Sequence, residues 1–198
     1  MESSIEVKPQ GFKRFIKGPL KLALVAINKL SNPTYKKLYP RYLSWLGINL
    51  SRDFSSYGDP WISPECRFDA AGYNLITLGE GVTISYGTSI LVHDFSIDKA
   101  LFARRNKHGK FIKPVSIGRN CFIGANAMIL PGTTIGNNCI IGGGSIVKGE
   151  FPDDSIICGN PARVVGSIDE FLAKHESKED IVYGLSGSSV VSVGEIPA

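Results

Sequence analysis

Proton transfer near neutral pH is the chemistry this sequence is best equipped for, and histidine is the side chain matched to it. The chain has three histidines, at 93, 108 and 175. His175 falls in a segment that reads as a short closing helix, and His108 stands beside Gly109 in a polar stretch. His93 is placed differently. It follows Ile90-Leu91-Val92, a short apolar strand, where the chain enters that polar stretch. A base fixed at the end of a rigid strand, beside a long loop, can take a proton from a hydroxyl or an amine held next to it. Metal chemistry is not expected, because no second histidine sits at ligand spacing to His93 and no CxxC pair occurs. Nor is there a GxSxG elbow, a P-loop, or a GxGxxG between a strand and a helix.

The element that must hold His93 is written in a repeat. Ile117, Ile123, Ile129, Ile135, Ile141 and Val147 are six residues apart. Small residues precede the next aliphatic by two: Cys121, Ala127, Thr133, Cys139 and Ser145. Glycine follows the aliphatic at 118, 124, 136 and 142. Residues two apart on a strand share a face, so the small and the aliphatic side chains both point inward. A period this short means a stacked solenoid, with three hexads closing one triangular coil. Leu78, Ile84 and Ile90 carry the same period, as do Ile62 and Phe68 around Cys66. The spacing from Ile90 to Ile117 is not a multiple of six, so residues 94–113, rich in Lys and Arg, leave the coil as a long polar loop.

Charge and composition narrow the partners. The formal net charge is +4. Residues 1–45 hold nine Lys/Arg against Glu2 and Glu6, or +7, which leaves −3 for the remainder. The basic character is therefore local, and nucleic acid is not an expected partner. Residues 1–49 read as a basic helical cap over the first coil, with breaks at Gly18-Pro19 and at Pro40. The same segment, through Lys13, Arg14, Lys17 and Lys21, also reads as a basic amphipathic surface for the inner face of an anionic membrane. The apolar run at 22–27 is far too short to span a bilayer, and a cytoplasmic location is the expectation. Residues 50–166 are the solenoid. Residues 167–198 comprise a closing helix, with Ser167 and Glu170 as a capping box, and a Gly/Ser-rich mobile tail. Cys121 and Cys139, one coil apart, are expected to stack in the core as thiols.

The repeat, the histidine at the loop, and the run PVSIGRNCFIGANAMILPGTTIGNNCIIGGGSIVKGEFPDDSIICGNPARVV (114–165) resemble the hexapeptide-repeat acyltransferases. The branch is that of the maltose/galactoside and polysaccharide O-acetyltransferases, and the resemblance covers about 60–170. It implies an all-β solenoid, specifically a left-handed parallel β-helix, and a homotrimer whose donor and acceptor meet between subunits. It implies His93 as the catalytic base and acetyl-CoA as acyl donor. The pantetheine groove is implied at Ala125 and Gly143, with Lys148 and Arg163 as further cofactor-binding cations and Asp69 as an acceptor-binding residue. Two departures are visible: Phe122 stands where relatives usually have tryptophan, and the cation at 148 comes one residue early.

The expected reaction is transfer of an acetyl group to a sugar hydroxyl, with His93 as general base and no acyl-enzyme. The acceptor is a glycan or small molecule, such as a surface polysaccharide or its precursor. An N-acyltransferase acting on an amino sugar or amino acid shares the same base. A non-enzymatic trimeric scaffold is the third reading, and acetyl-CoA binding separates it from the other two.

Overall fold

Six-residue repeats give strands so short that they are stable only when stacked, each coil supplying the hydrogen-bond partners of the next. The computed structural model describes residues 13–55 and 57–176, together with Ile181. Its centre is a three-faced prism. The first face stacks β1 (Asn49–Leu50), β3 (Ile76–Leu78), β8 (Val115–Ile117), β11 (Thr134–Ile135) and β14 (Glu150–Phe151) in parallel. The second stacks β4 (Thr83–Ile84), β9 (Phe122–Ile123), β12 (Ile140–Ile141) and β15 (Ser155–Gly159), with β16 (Ala162–Ser167) returning antiparallel on β15. The third stacks β2 (Arg67–Phe68), β5 (Ser89–Ile90), β10 (Met128–Ile129) and β13 (Ile146–Val147).

Register puts like residues over like, and the aliphatic of each hexad forms a column. Leu78, Ile117 and Ile135 stack on the first face, Ile84, Ile123, Ile141 and Ile157 on the second, and Ile90, Ile129 and Val147 on the third. All are buried. Burying each such side chain stabilises the fold by about 1.5–3 kcal/mol. Small side chains fill the corners: Cys66, Thr88, Ala127 and Ser145 on one edge, Val82, Cys121, Cys139 and Ser155 on another. All four cysteines are free. The Cys121 Sγ reaches the carbonyl of Gly136 at 3.1 Å and that of Cys139 the carbonyl of Pro152 at 3.2 Å, one coil up in each case.

The hexad glycines have a steric cause. A Cβ on Gly118 would lie 2.5 Å from the carbonyl oxygen of Gly136, and one on Gly124 would lie 2.5 Å from the backbone nitrogen of Gly143. Corners of adjacent coils touch backbone to backbone there, and only glycine leaves room.

Two helices cover the first coil. In α2 (Asn32–Leu46), Tyr35, Tyr39, Tyr42, Leu43 and Leu46 are buried, and the Tyr35 hydroxyl donates to the Ile62 carbonyl at 2.6 Å. α1 (Lys13–Leu30) packs on α2 and buries Leu24. The breaks expected at Gly18-Pro19 and at Pro40 do not occur, and each helix runs through its proline. A proline deletes one helical hydrogen bond and costs about 3 kcal/mol, which the packing of both helices onto the coil offsets.

The side of α1 that faces outward is the reverse of the one expected. Lys17 and Lys21 turn toward the first coil, and Phe15, Leu22 and Leu30 are 74%, 71% and 87% exposed. The side chains of Lys13 and Arg14 lie outside the described residues. Among those that are described, no helix is long and apolar enough to cross a membrane.

The departure at 94–113 is not a loop. It is a short antiparallel pair, β6 (His93–Asp94) and β7 (Phe111–Ile112), joined by α3 (Ser96–Arg105). The Asp94 carboxylate receives the Ser96 N–H at 2.7 Å, and Asn106, with φ 49°, closes the far end. α4 (Ile168–Glu176) closes the top, where Ser167 and Glu170 exchange the two bonds of a capping box at 2.8 and 3.2 Å. Ile181 apart, the expected mobile tail from Ser177 onward lies outside the described residues.

Gly124→Ala is expected to lower the midpoint of urea unfolding, because its methyl group meets backbone that cannot yield. Gly18→Ala, on a helix with nothing within 4 Å of the new Cβ, is expected to raise stability by up to about 1 kcal/mol. Equal effects from the two substitutions contradict the corner argument.

Candidate active site

His93 begins β6 at the corner where the third face gives way to the first. One coil below it lies Asp69, which follows β2. Because Phe68 pairs with Ile90, the next residue up the chain brings a carboxylate under the turn at 91–93. Asp69 Oδ2 accepts from the Val92 N–H at 2.9 Å, the His93 N–H at 3.2 Å and the His93 ring nitrogen Nδ1. Oδ1 accepts from the Ala71 N–H at 2.9 Å. The Asp69 side chain is only 5% exposed. Burial pushes its carboxyl upward, but the backbone bonds from Val92 and Ala71 and the bond from His93 outweigh burial and hold it below the usual carboxylate range. It is thus an anion at neutral pH and can only accept.

The tautomer of His93 follows. Nδ1 must carry the hydrogen it gives to Asp69, so neutral imidazole presents a bare Nε2. The side chain is 27% exposed, and the Phe95 ring stands edge-on to it at 5.1 Å. The geometry is that of an oriented general base. It also gives Asp69 a second role beside the acceptor-binding one expected of it: its carboxylate holds His93 and the turn at 91–93.

A cleft of about 170 Å³ opens on the same corner, lined by Asp94, the residue after His93, and by Phe111, Lys113, Leu130, Pro131 and Lys148, without His93 itself among its walls. Lys148 therefore lies on the histidine's corner, near enough to Asp94 to contribute to holding that carboxyl below its ordinary range. Ala125 and Gly143 lie elsewhere, on successive coils of the corner between the second and third faces. A Cβ on Gly143 would stand 3.1 Å from the Ala125 oxygen, and Gly144 donates to that oxygen at 2.8 Å. Arg163 is exposed on β16, above that same edge. Within one chain, Lys148 shares a corner with His93, and Ala125, Gly143 and Arg163 do not.

His108 is also paired, through Nδ1 to Asp98 at 3.0 Å, but its side chain is 74% exposed and stacks on Phe102 out on the excursion. Among the described residues, no group of three or more His, Cys, Asp or Glu side chains could hold a metal ion. The sequence reading missed Asp94, Phe111 and Lys113 as lining residues. Their signal was the return at Lys113-Pro114, which must bring the excursion back beside its own departure point.

A family profile described as "Hexapeptide repeat of succinyl-transferase" matches residues 114–148. Protein CapG of Staphylococcus aureus is 37% identical over 146 residues, covering 70% of this chain and 82% of CapG. The chain belongs to the hexapeptide-repeat acyltransferases. A second relative, the putative acetyltransferase YvoF of Bacillus subtilis, is 35% identical over 48% of this chain, which spans about half of YvoF, 49%. The fold is that of a maltose O-acetyltransferase from Clostridium difficile 630, with TM-score 0.51 at 22% identity over 77% of this chain and 88% of that one. It is also that of the hexapeptide-repeat acetyltransferase VCA0836 from Vibrio cholerae, solved with acetyl coenzyme A, with TM-score 0.52 at 21% identity over 78% and 86% of the two chains. The acyltransferase is a left-handed parallel β-helix with helices at both ends.

The Asp69 carboxyl is lowered by the fold, so its bonds stabilise the protein fully above the unfolded carboxylate pKa, about 3.9. That contribution is lost as pH falls through the lower folded value. Asp69→Asn is expected to be less stable than wild type by about 1–3 kcal/mol at pH 7, with the gap closing below about pH 4. Urea unfolding of both proteins at pH 7 and pH 3 checks the sign. A gap that widens in acid overturns the assignment of an ionised Asp69.

Proposed function

We propose that the chain is an acetyl-CoA-dependent O-acetyltransferase acting on a sugar hydroxyl, in a surface polysaccharide or its precursor. The observation that carries this is the buried Asp69 bonded to His93 Nδ1, which leaves Nε2 as the bare nitrogen, on the corner that also carries a cleft lined by Asp94, Phe111, Leu130, Pro131 and Lys148. The acetyl group is favoured by the name of the YvoF relative. The sugar acceptor rests on the sequence resemblance at 114–165.

In this reading Nε2 accepts the acceptor's hydroxyl proton as the oxygen attacks the thioester carbonyl. The tetrahedral intermediate collapses with loss of the C–S bond, and the proton passes from Nε2 to the departing CoA thiolate. Asp69 stabilises the imidazolium between the two transfers without taking the proton itself.

The same reading needs a homotrimer. His93 and the groove residues Ala125 and Gly143 stand on different corners of one prism, so a neighbour's corner completes the site. The outward side chains point to which faces are covered. On the first face they are polar: Thr77, Ser116, Thr134 and Glu150. On the other two they turn apolar from the third coil upward: Phe122 and Met128, 44% and 37% exposed, with Ile140, Ile146 and Ile156 half-buried, above Thr83 on one face and Arg67 and Ser89 on the other. Apolar outward rows of this kind mark association surfaces. A cytoplasmic setting belongs to this proposal.

His93→Ala is expected to keep the fold and the acetyl-CoA affinity but to lose about 10²–10⁴ in turnover. Retention of more than about a tenth of the rate removes His93 as the base. Gly143→Leu, whose side chain must lie over Ala125, is expected to abolish acetyl-CoA binding by calorimetry with an unchanged circular dichroism spectrum. Light scattering on the size-exclusion peak should give three chains for wild type and fewer for Met128→Asp. An active wild-type monomer is incompatible with a shared site.

A further inference from the structure

A second cleft, of about 280 Å³, lies between α1, α2 and the first coil, and Lys17, Lys21, Tyr42, Arg67, Phe68 and Tyr73 are among the residues that line it. Its charge is one-sided. Lys21 is half-buried, and its Nζ donates to the Cys66 carbonyl at 3.2 Å. The Lys17 ammonium stands 5.7 Å from the centre of the Tyr73 ring, and Tyr42 donates its hydroxyl to the Lys17 carbonyl at 3.2 Å. Arg67 projects outward from β2. Among the described residues, the ion pairs are Lys36–Asp59, His93–Asp69 and His108–Asp98, so no carboxylate is paired with any of these three cations.

Burial lowers the Lys21 ammonium below the ordinary lysine range; the Cys66 thiol opposes this and Arg67 adds to it. Burial raises the Tyr42 hydroxyl to about 12 and the Tyr73 hydroxyl above its usual value, with Tyr42 further raised by Tyr73 and Tyr73 by Asp69. The two tyrosines therefore stay neutral at neutral pH, and the charged side chains that line the cleft, Lys17, Lys21 and Arg67, are all basic. A cation taken partly out of water without a counter-charge is costly to keep, and an anion entering the cleft relieves that cost.

The cleft also adjoins the chemistry. Phe68 lines it, and the next residue, Asp69, carries His93. Resting on the acetyltransferase reading above, we propose that this cleft receives the carboxylate or phosphate of an anionic acceptor, such as a uronic acid or a phosphate-linked sugar, and places its hydroxyl toward His93. The acceptor specificity is then for charge, set by Lys17, Lys21 and Arg67.

The test uses the full-length protein without CoA. Glucuronate, glucose 1-phosphate, inorganic phosphate and glucose are titrated by calorimetry at low salt. At least one anion is expected to bind and glucose is not, with affinity falling as salt rises. Preference for glucuronate assigns the carboxylate, and preference for the two phosphates assigns the phosphate. Arg67→Gln, at an exposed position, is expected to weaken the bound anion about tenfold or more, as loss of a charge-assisted bond does. Lys21→Met, which keeps the apolar stem, is expected to do the same. Acetyl-CoA affinity, measured separately, should not change in either variant. Binding of none of the anions, or anion binding untouched by Arg67→Gln, overturns the proposal while leaving acetyl-CoA binding to judge the acetyltransferase reading on its own.

Discussion

Each coil of this protein must lie flat on the one below, and the distance is fixed by backbone hydrogen bonds between strands, about 4.8 Å. The strands meet that distance easily. The corners do not, because the chain turns sharply there and brings its own bulk toward the neighbouring coil. Glycine at 118 and 124 removes the side chain at the point of contact. One residue type at one place in the hexad thus permits the stacking, and stacking permits everything else. The Ile columns exist because like positions fall over like positions, and an excursion can leave the coil without destroying it because the coils above and below continue the ladder: β3 pairs with β8 although residues 79–114 separate them.

That tolerance explains where the site is. A solenoid interior is apolar and narrow, so a buried carboxylate inside it would be expensive. Asp69 escapes the expense by sitting at a corner, where the turn at 91–93 offers two N–H groups and a histidine to one oxygen, and Ala71 offers a third N–H to the other. The turn has those free donors because the chain departs there instead of continuing the ladder. Departure, carboxylate and histidine are consequences of one local break in the repeat.

Much of this was legible in the sequence. The hexad period predicts the prism, and the misfit between Ile90 and Ile117 locates the break and picks out His93 at its edge. What was not legible depends on contacts between coils. The resemblance names Asp69 only as an acceptor-binding residue, and its bond to the histidine 24 residues on is not legible, because only the pairing of Phe68 with Ile90 brings the two together. The edge ladder from Asn120 to Asn138 to Asp154, with side-chain bonds of 3.1 and 2.9 Å, was missed although its first step is one full coil of 18 residues; the second spans 16. These residues hold positive φ at successive corners, a use of Asn and Asp that resembles ordinary turn preference until the coils are stacked. Prolines 19 and 40 misled because local propensity yields to tertiary packing, and the outward apolar face of α1 was invisible because the helical pattern gives two faces without saying which one meets the coil.

The arrangement of the prism's edges carries the last step. A triangular solenoid has three edges, and this chain uses each for something different. One carries the Asn and Asp ladder and is purely structural. One carries Ala125 and Gly143, the groove residues of the proposed function, stacked with the Gly144 N–H on the Ala125 carbonyl at 2.8 Å. One carries Asp69, His93 and the excursion. Under the proposed function, a ligand reaching from a thioester arm to a base has to meet the second and third kinds of edge together, which a single prism holds apart across a face whose outward side chains are Arg67, Ser89, Met128 and Ile146. Side-by-side packing of prisms brings unlike edges together by rotation alone, without any change in the fold of the chain. In the proposed homotrimer assembly is part of the catalytic geometry, and Phe122, Met128, Ile140, Ile146 and Ile156, outward on two faces, are the residues available to meet a neighbour.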